Sequence, residues 1–594
     1  MDYKVERGLW AAGVMAVTVA VFAVNVRNRL LRFDDLQYIV KNRAIADGLT
    51  PRSVWWSLTS AGYADNWHPL TWMSHALDNT LADGCALDWR VETDDGSIFG
   101  ETQSAAGRWN IYTARNGFVA DMEKTGLARL VHGENVLLHG VNAALLFWLI
   151  LLLLAPERGR VACGISAAFA LLWALHPLRV EVVAWAAERK ELLSVLFMLL
   201  TLIFYIRPSE WWRSRIPFGD LSVVCFVLAL MAKPVAVSLP AVILAYDWIV
   251  VRRSFREALS RIVPFAALAA VACYLTMISQ TVAIDVGRGC PLFTRLLCVV
   301  EAPIVYLFQT LWPVGLAVDY PFPDKSSWPL LVLGALLLLA MAGVAGRWLF
   351  RPGRWTGLGC VAVAWLYVGL LPMIGVVGVG FEPHSDRYTY WIGCGASACA
   401  AVAVCWLRPR WWRFRRGLCG AAGLALVLLA ALAVRQSLPW RDTISLFVDT
   451  ARKTKGEKFV QGAFEMMEQR GGIELRRAED FLRWNLADRG TARARAWLAM
   501  HLAVFTADDR ARTEEALAEA ERLVGEALAE DPKEPFAHAT LGYADYRRGR
   551  YRSAYAHMKK AMDLGYVSHV VLVDEDDWKA KAKAEEKGAA DVQR

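Results

Sequence analysis

Apolar residues in this chain are gathered into long runs, not spread along one face of each segment. The runs predict spanning helices near 9–25, 136–155, 162–176, 191–206, 219–232, 235–251, 262–280, 329–346, 356–377, 388–407 and 418–434. A helix needs about 20 predominantly apolar residues to cross a bilayer. Arginine concentrates in the short loops between them: Arg158 and Arg160, Arg207 to Arg215, Arg252 to Arg261, Arg347 to Arg354, and Arg408 to Arg416. Positive loops mark the cytoplasmic side. With the N-terminus inside, all these clusters fall inside, provided 292–325 does not cross. That stretch carries Arg295, Glu301 and Gln309 and reads as an amphipathic or re-entrant piece on the outer side. Eleven spans then put the C-terminus outside. Lys4 and Arg7 precede the first run, but no small-x-small site precedes Arg27-Asn28-Arg29, so it reads as a retained span.

The pattern changes at Trp440. Residues 441–594 are polar and charged, with apolar positions at helical spacing. Ala520, Ala527 and Pro532 are matched 34 residues later by Ala554, Ala561 and Tyr566, with Leu541-Gly542 in the Leu-Gly place of the second unit. That period is the tetratricopeptide signature, in which small residues let paired helices approach. Residues 456–500 are expected to hold a further worn unit. Within the first outer loop, 83–131 is polar and Gly-rich, an extracytoplasmic insert with either a small β-rich fold or a lid. The expected architecture is an all-α polytopic membrane protein: a transmembrane domain over 1–440 and an extracytoplasmic helical domain over 441–594.

Composition agrees, with 56% hydrophobic residues and 26 Trp. The net charge of +8 lies in the loops and signals no nucleic-acid binding. None of the 11 Cys forms a CxxC pair, which argues against zinc or a disulfide framework. His132, Asn135, His139 and Asn142 share one helix face and are expected to hydrogen-bond between helices.

The topology gathers ionisable motifs on the outer face: Asp34-Asp35, His176 to Glu191, Met231 to Pro234, and Glu382 to Tyr388. Ionisable groups beside a membrane span are costly unless hydrated or used. Asp34 or Asp35 is the candidate general base. Arg387 and Arg189 are candidates to grip a phosphate bidentately, with Lys190 and Lys233 as point charges and His176 beside them. Tyr38, Trp67, His68, Glu181, Glu188, His384, Asp386 and Tyr388 are candidate substrate contacts. A carboxylate facing cations at the lipid boundary suits sugar transfer from a polyprenyl-phosphate donor, since the phosphate leaves and the cations stabilise it. A divalent metal on Asp34-Asp35 is an open alternative.

The ordered set Phe33-Asp34-Asp35-Leu36-Gln37-Tyr38, Asn66-Trp67-His68-Pro69-Leu70-Thr71-Trp72-Met73-Ser74-His75-Ala76-Leu77-Asp78, Ala174-Leu175-His176-Pro177-Leu178-Arg179-Val180-Glu181 with Val183-Ala184-Trp185, Glu188-Arg189-Lys190, Ala232-Lys233-Pro234 and Asp386-Arg387-Tyr388-Thr389-Tyr390 resembles the TMTC-type family of tetratricopeptide-containing multispan proteins. That family is similar to the GT-C glycosyltransferases, including the protein O-mannosyltransferases. The resemblance implies a dolichyl- or polyprenyl-phosphate sugar donor, a protein or glycan acceptor, and a catalytic acid in the first outer loop, here Asp34 or Asp35. An Ala- and Arg-rich composition points to a bacterial inner membrane. Two rivals stand beside this reading. One is a lipid-linked sugar flippase, which would place charges at mid-span. The other is a catalytically inactive scaffold whose tail recruits partners.

Overall fold

A computed structural model describes residues 3–32, 34–82, 88–91, 98–104, 107–114, 117–120, 126–154, 159–207, 221–280, 292–320, 328–350, 353–371, 373, 384–470, 473–505, 510–566 and 578–585. The arginines expected at 208–215, Pro321 to Asp324, Glu382 and most turns of the insert lie outside these residues. The chain forms two compact units. One is built mainly from 1–86 and 123–443, the other from 87–103, 108–122 and 444–594.

The first unit is helical. Its main elements are α1 (Tyr3–Phe22), α2 (Pro51–Thr59), α3 (Pro69–Leu81), α4 (Gly126–Leu154), α5 (Arg160–Ala174), α6 (Val180–Ala184), α7 (Arg189–Ile206) and α8 (Leu221–Ala232). Then come α9 (Leu239–Ala245), α10 (Phe255–Ser279), α11 (Leu292–Leu311), α12 (Trp328–Phe350), α13 (Arg354–Leu370), α14 (Thr389–Trp411) and α15 (Arg415–Ser437). Among the described residues, six helices are long and apolar enough to cross a membrane, or seven if the pair Arg160–Ala174 and Pro177–Ala184, bent by 62°, is one span. These helices mark a membrane protein. The apolar run after Arg189 opens with three charged residues, Arg189, Lys190 and Glu191, and the runs of α8, α9 and α13 are short, so length and composition alone do not count them.

Contacts sort the helix ends into two sets. At one end, the Asn25 amide donates to Ser437 Oγ at 3.3 Å. There too the Arg29 N–H donates to the Arg441 carbonyl, and Gln280 Nε2 donates to Asn66 Oδ1. At the other end, Glu6 pairs with Arg160, Asp247 accepts from Tyr205 and Arg261, and Trp248 packs on Trp348. Gln280, just past α10, and Thr310, near the end of α11, both lie at the first end.

Between α5 and α7 the helix is broken. Pro177 cannot continue the α5 hydrogen-bond ladder, and a 3-10 turn (Pro177–Arg179), α6 and a second 3-10 turn (Ala186–Glu188) follow. Every residue from Trp173 to Val195 is buried. Buried irregular backbone must find partners outside the helix ladder. Asn135 Nδ2 donates to the Trp185 carbonyl at 3.2 Å, and the Ala187 N–H donates to Asp35. The other polar residues of α4 also bond across helices: His139 to Tyr390 and the Ala174 carbonyl, Asn142 to Tyr390 and the Leu192 carbonyl, His132 to the Arg29 carbonyl.

In the second unit, the insert contributes four strands, β1 (Asp88–Val91), β2 (Ile98–Ser104), β3 (Gly107–Ala114) and β4 (Gly117–Ala120), ordered β1-β2-β3-β4. Strands β1 and β2 pair antiparallel, as do β3 and β4. The tail is helical: α16 (Thr443–Thr454), α17 (Glu457–Arg470), α18 (Ile473–Arg489), α19 (Ala492–Phe505), α20 (Arg510–Glu530), α21 (Pro535–Arg547) and α22 (Tyr551–Asp563). The four alanines of the 34-residue period, Ala520, Ala527, Ala554 and Ala561, are fully buried. A Cβ on Gly542 would stand 3.2 Å from the Ala554 carbonyl oxygen, which is the close helix approach that requires a small residue there.

Candidate functional site

The two adjacent aspartates have opposite environments. Asp35 is fully buried, and both its oxygens accept backbone hydrogen bonds, from the Leu31 N–H at 2.7 Å and the Ala187 N–H at 2.8 Å. Burial pushes its carboxyl up to about 7, against the pull of those two N–H groups. It staples the turn after α1 to the turn before α7. Complete burial puts it out of reach of an arriving acceptor, which leaves Asp34 as the candidate base. Asp34 is 41% exposed, and its Oδ2 lies 3.0 Å from Lys190 Nζ.

Lys190 opens a chain of alternating charges. Its Nζ is 3.2 Å from Glu188 Oε1, and Glu188 Oε2 is 3.0 Å from Lys233 Nζ. Lys233 also lies 2.9 Å from Glu191, and Arg387 Nε approaches Glu188 at 3.9 Å. Burial opposes ionisation of Glu188, but Lys190, Lys233 and Arg387 together hold it well below the usual carboxylate range. Glu181 fixes Arg387 from the other side. It accepts from Arg387 Nη1 at 2.7 Å, from the Arg387 N–H at 2.9 Å and from Ser385 Oγ at 3.2 Å. Aromatic faces complete the cluster: Lys190 lies 4.7 Å from the Tyr38 ring centroid, and Arg387 lies over Trp185 at 5.6 Å and Tyr388 at 5.2 Å. The heads keep some contact with solvent, with side chains 8% exposed at Lys190, 14% at Arg387 and 16% at Lys233.

This is not the bare cationic pocket expected from the sequence. Asp34, Glu181, Glu188 and Glu191 face Lys190, Lys233 and Arg387, so the cluster is close to charge balance. Its cations are held in place in advance instead of being gathered by an arriving anion.

Two expected phosphate ligands lie elsewhere. Arg189 follows Glu188 but turns away. Its Nη1 sits 2.6 Å from Asp78 Oδ2 and 2.9 Å from Glu134, its Nε donates to Asn135 and its Nη2 to the Val131 carbonyl. His75 caps the same Asp78 at 3.0 Å. Arg189 is fully buried and locks α3 to α4 and α7. His176 spends both ring nitrogens on backbone: Nδ1 accepts from the Leu178 N–H, and Nε2 donates to the Thr310 carbonyl at 3.0 Å. It shapes the broken helix and has no donor left for a phosphate.

The remaining candidates divide similarly. Tyr38 donates to His68 Nδ1 at 3.0 Å, and burial with Lys190 and Lys233 nearby keeps that imidazole neutral. His68 stands just before α3, with Pro69 at its first position. Trp67 Nε1 donates to the Leu58 carbonyl. Asp386 is buried and accepts from Tyr320 at 2.8 Å and Gln309 at 3.3 Å. His384 stacks on Tyr320 at 4.3 Å, and burial lowers its imidazole to about 4. Asp386 and His384 thus build the turn that presents Arg387. Residues not named as site candidates are Glu191, Trp185 and Asp78; all three stand in the sequence motifs, but the pairing of Asp78 with Arg189 spans 111 residues and could not be read from them. Among the described residues, no group of three His, Cys, Asp or Glu side chains is arranged to hold a metal ion.

Comparison with protein-family models, with curated proteins and with solved structures finds no match to this chain.

Proposed function

We propose that this protein is a GT-C-like glycosyltransferase that moves a sugar from a polyprenyl-phosphate donor to a hydroxyl of a protein or glycan. The observation that carries the reading is one half-exposed carboxylate, Asp34, set beside cations fixed by buried glutamates at one end of a membrane-type helical unit. Asp34 takes the acceptor proton as the acceptor oxygen bonds to the sugar C1. The C1–O bond to phosphate breaks, and its electron pair leaves with the polyprenyl phosphate. Lys190 and Arg387 stabilise that developing charge, and Glu188 keeps the cations from repelling one another.

The six long helices, the bent pair, α7, α8, the segment Pro234–Val250 and α13 make up eleven passes, with α11 on the outer side. The N-terminus is then cytoplasmic, and the site and tail face outward from a bacterial inner membrane. The 34-residue period makes the tail a short tetratricopeptide-like stack that holds the acceptor protein or another partner.

The test is turnover of radiolabelled polyprenyl-phosphate sugars by the purified chain in lipid. Sugar release or transfer lost in Asp34→Asn, with donor binding weakened in Arg387→Ala, supports both roles. Donor bound without turnover by the wild type points to a flippase or carrier scaffold. Full activity in a folded Asp34→Asn variant sinks the proposal.

A further inference from the structure

A cavity of about 550 Å³ lies within the first unit, bounded by α5, α11, α12, α13, α14 and α15. Ligand sites occupy roughly 300–1,000 Å³. Most of its wall is aliphatic, with Leu172, Leu307, Leu337, Leu366 and Leu429 among the lining residues. Its basic side chains, His176 and Arg179, with Thr310 and Thr389, collect where the Thr389 turn meets the broken helix, while Ser397 farther along spends its hydroxyl on the Phe169 carbonyl. From Thr389 to Ala400 the lining follows α14 for about 16 Å. The space is therefore polarised, with a polar head end and a long apolar body.

Arg179 stands at the head. It is 3% exposed and lies against the Trp173 and Tyr390 rings, each at 5.7 Å. Nη1 donates to the Thr389 carbonyl at 2.6 Å and Nη2 to Thr389 Oγ1 at 2.7 Å. Its Nε has no hydrogen-bond partner, and among the described residues no carboxylate lies within ion-pair distance. Arginine stays protonated in proteins, and a buried charge is costly unless paired. Gly393 makes room for it, since a Cβ there would stand 3.1 Å from Nη1. His176 lines the same end but has used both nitrogens, so Arg179 is the cation with capacity to spare.

We propose that this cavity is a second anion site, binding a single-chain amphiphile with its phosphate or carboxylate head on Arg179 and its hydrocarbon along α14. It is separate from the Asp34 cluster: none of Asp34, Glu188, Lys190, Lys233 or Arg387 lines it. The two sites share the 385–389 turn. Arg387 leaves that turn toward Glu181, while Thr389 faces Arg179. An occupied cavity therefore braces the segment that positions Arg387.

Native mass spectrometry of the full chain in detergent, with farnesyl phosphate, oleate and farnesol as probes, tests this independently of sugar transfer. One oleate bound per chain is expected, and one farnesyl phosphate beyond any held by the Asp34 cluster, with farnesol about tenfold weaker than oleate, the difference of one charge-assisted contact. Which anion binds tells an isoprenyl phosphate from a fatty acid. Arg179→Met should reduce oleate to the farnesol level and remove one bound farnesyl phosphate, Ala400→Trp should exclude oleate and farnesol by filling the body, and Arg256→Met, at an exposed cation outside both sites, should change nothing. Should Arg179→Met not fold, Ala400→Trp decides. No oleate binding by the wild type, or oleate binding that survives Ala400→Trp, overturns the proposal.

Discussion

Arg189 and Lys190 are neighbours at the start of one helix, and they serve two clusters of opposite character. Arg189 enters a closed cluster in which Asp78, Asn135, Glu134 and a carbonyl take up its donors and the guanidinium itself is buried. Lys190 enters an open cluster in which Asp34 is half exposed and the cations alternate with glutamates. Successive residues on a helix point about 100° apart, so one step along the chain changes the partner set entirely. The contrast separates two uses of a buried charge. In the closed cluster every donor has a fixed partner, and the ions define packing. In the open one a carboxylate and three cationic heads keep access to an incoming molecule.

The largest expected effect lies in the open cluster. Asp34→Asn should lower sugar transfer by roughly 10²–10⁴-fold, the span of a lost general base, while the unfolding midpoint in lipid moves little. A large loss of stability with unchanged turnover would reverse the two clusters' roles.

Next is Arg189→Met. Removing one member of a buried ion pair costs about 3–5 kcal/mol because its partner is stranded, here Asp78. Denaturant unfolding of the purified chain reads this directly. Asp78→Asn in the Arg189→Met background should recover part of the loss. A midpoint within error of wild type would show that the closed cluster does not hold α3 and α4 together.

What could be read from sequence follows the same division. The apolar runs were legible because bilayer crossing imposes length and composition on each segment by itself. The burial of Ala520, Ala527, Ala554 and Ala561 was legible because their period repeats a local packing unit. The gathering of Asp34, the His176-to-Glu191 motif, Lys233 and Arg387 into one cluster was legible as a set. Their internal division was not. Asp34 and Asp35 are identical neighbours whose environments are set by distant residues: Lys190 pairs with Asp34, and Ala187, 152 residues from Asp35, donates to it. Arg189 looked like a phosphate ligand because its partner Asp78 lies on another helix. The unpaired Nε of Arg179, and its lack of an ion-pair partner among the described residues, follow from three-dimensional placement that no local pattern encodes.

Asp35→Asn sharpens the comparison within one dipeptide. An amide nitrogen cannot accept from one of the two N–H groups, so a loss of about 1–3 kcal/mol is expected, with transfer reduced only through stability. The pH dependence has a definite sign. The Asp35 carboxyl titrates near 7 when folded and near 3.8 in its ordinary state. Between those values the folded chain holds the extra proton, so its contribution to stability falls as pH rises from about 4 to 7. The difference between wild type and Asp35→Asn should therefore shrink across that window, and a difference that grows with pH would contradict the assigned burial.

The smallest effect tests the edge of the open cluster. Tyr38→Phe removes the hydroxyl that His68 Nδ1 accepts from, leaving a buried acceptor unpaired at about 1–3 kcal/mol at most. It keeps the ring that Lys190 lies against. If Tyr38 serves only to seat His68 and Lys190, Tyr38→Phe should retain most transfer activity, and Tyr38→Leu should lose more by removing the aromatic face under the cation. Equal losses in the two variants would mean that the hydroxyl, not the ring, faces the substrate, and would extend the open cluster as far as His68.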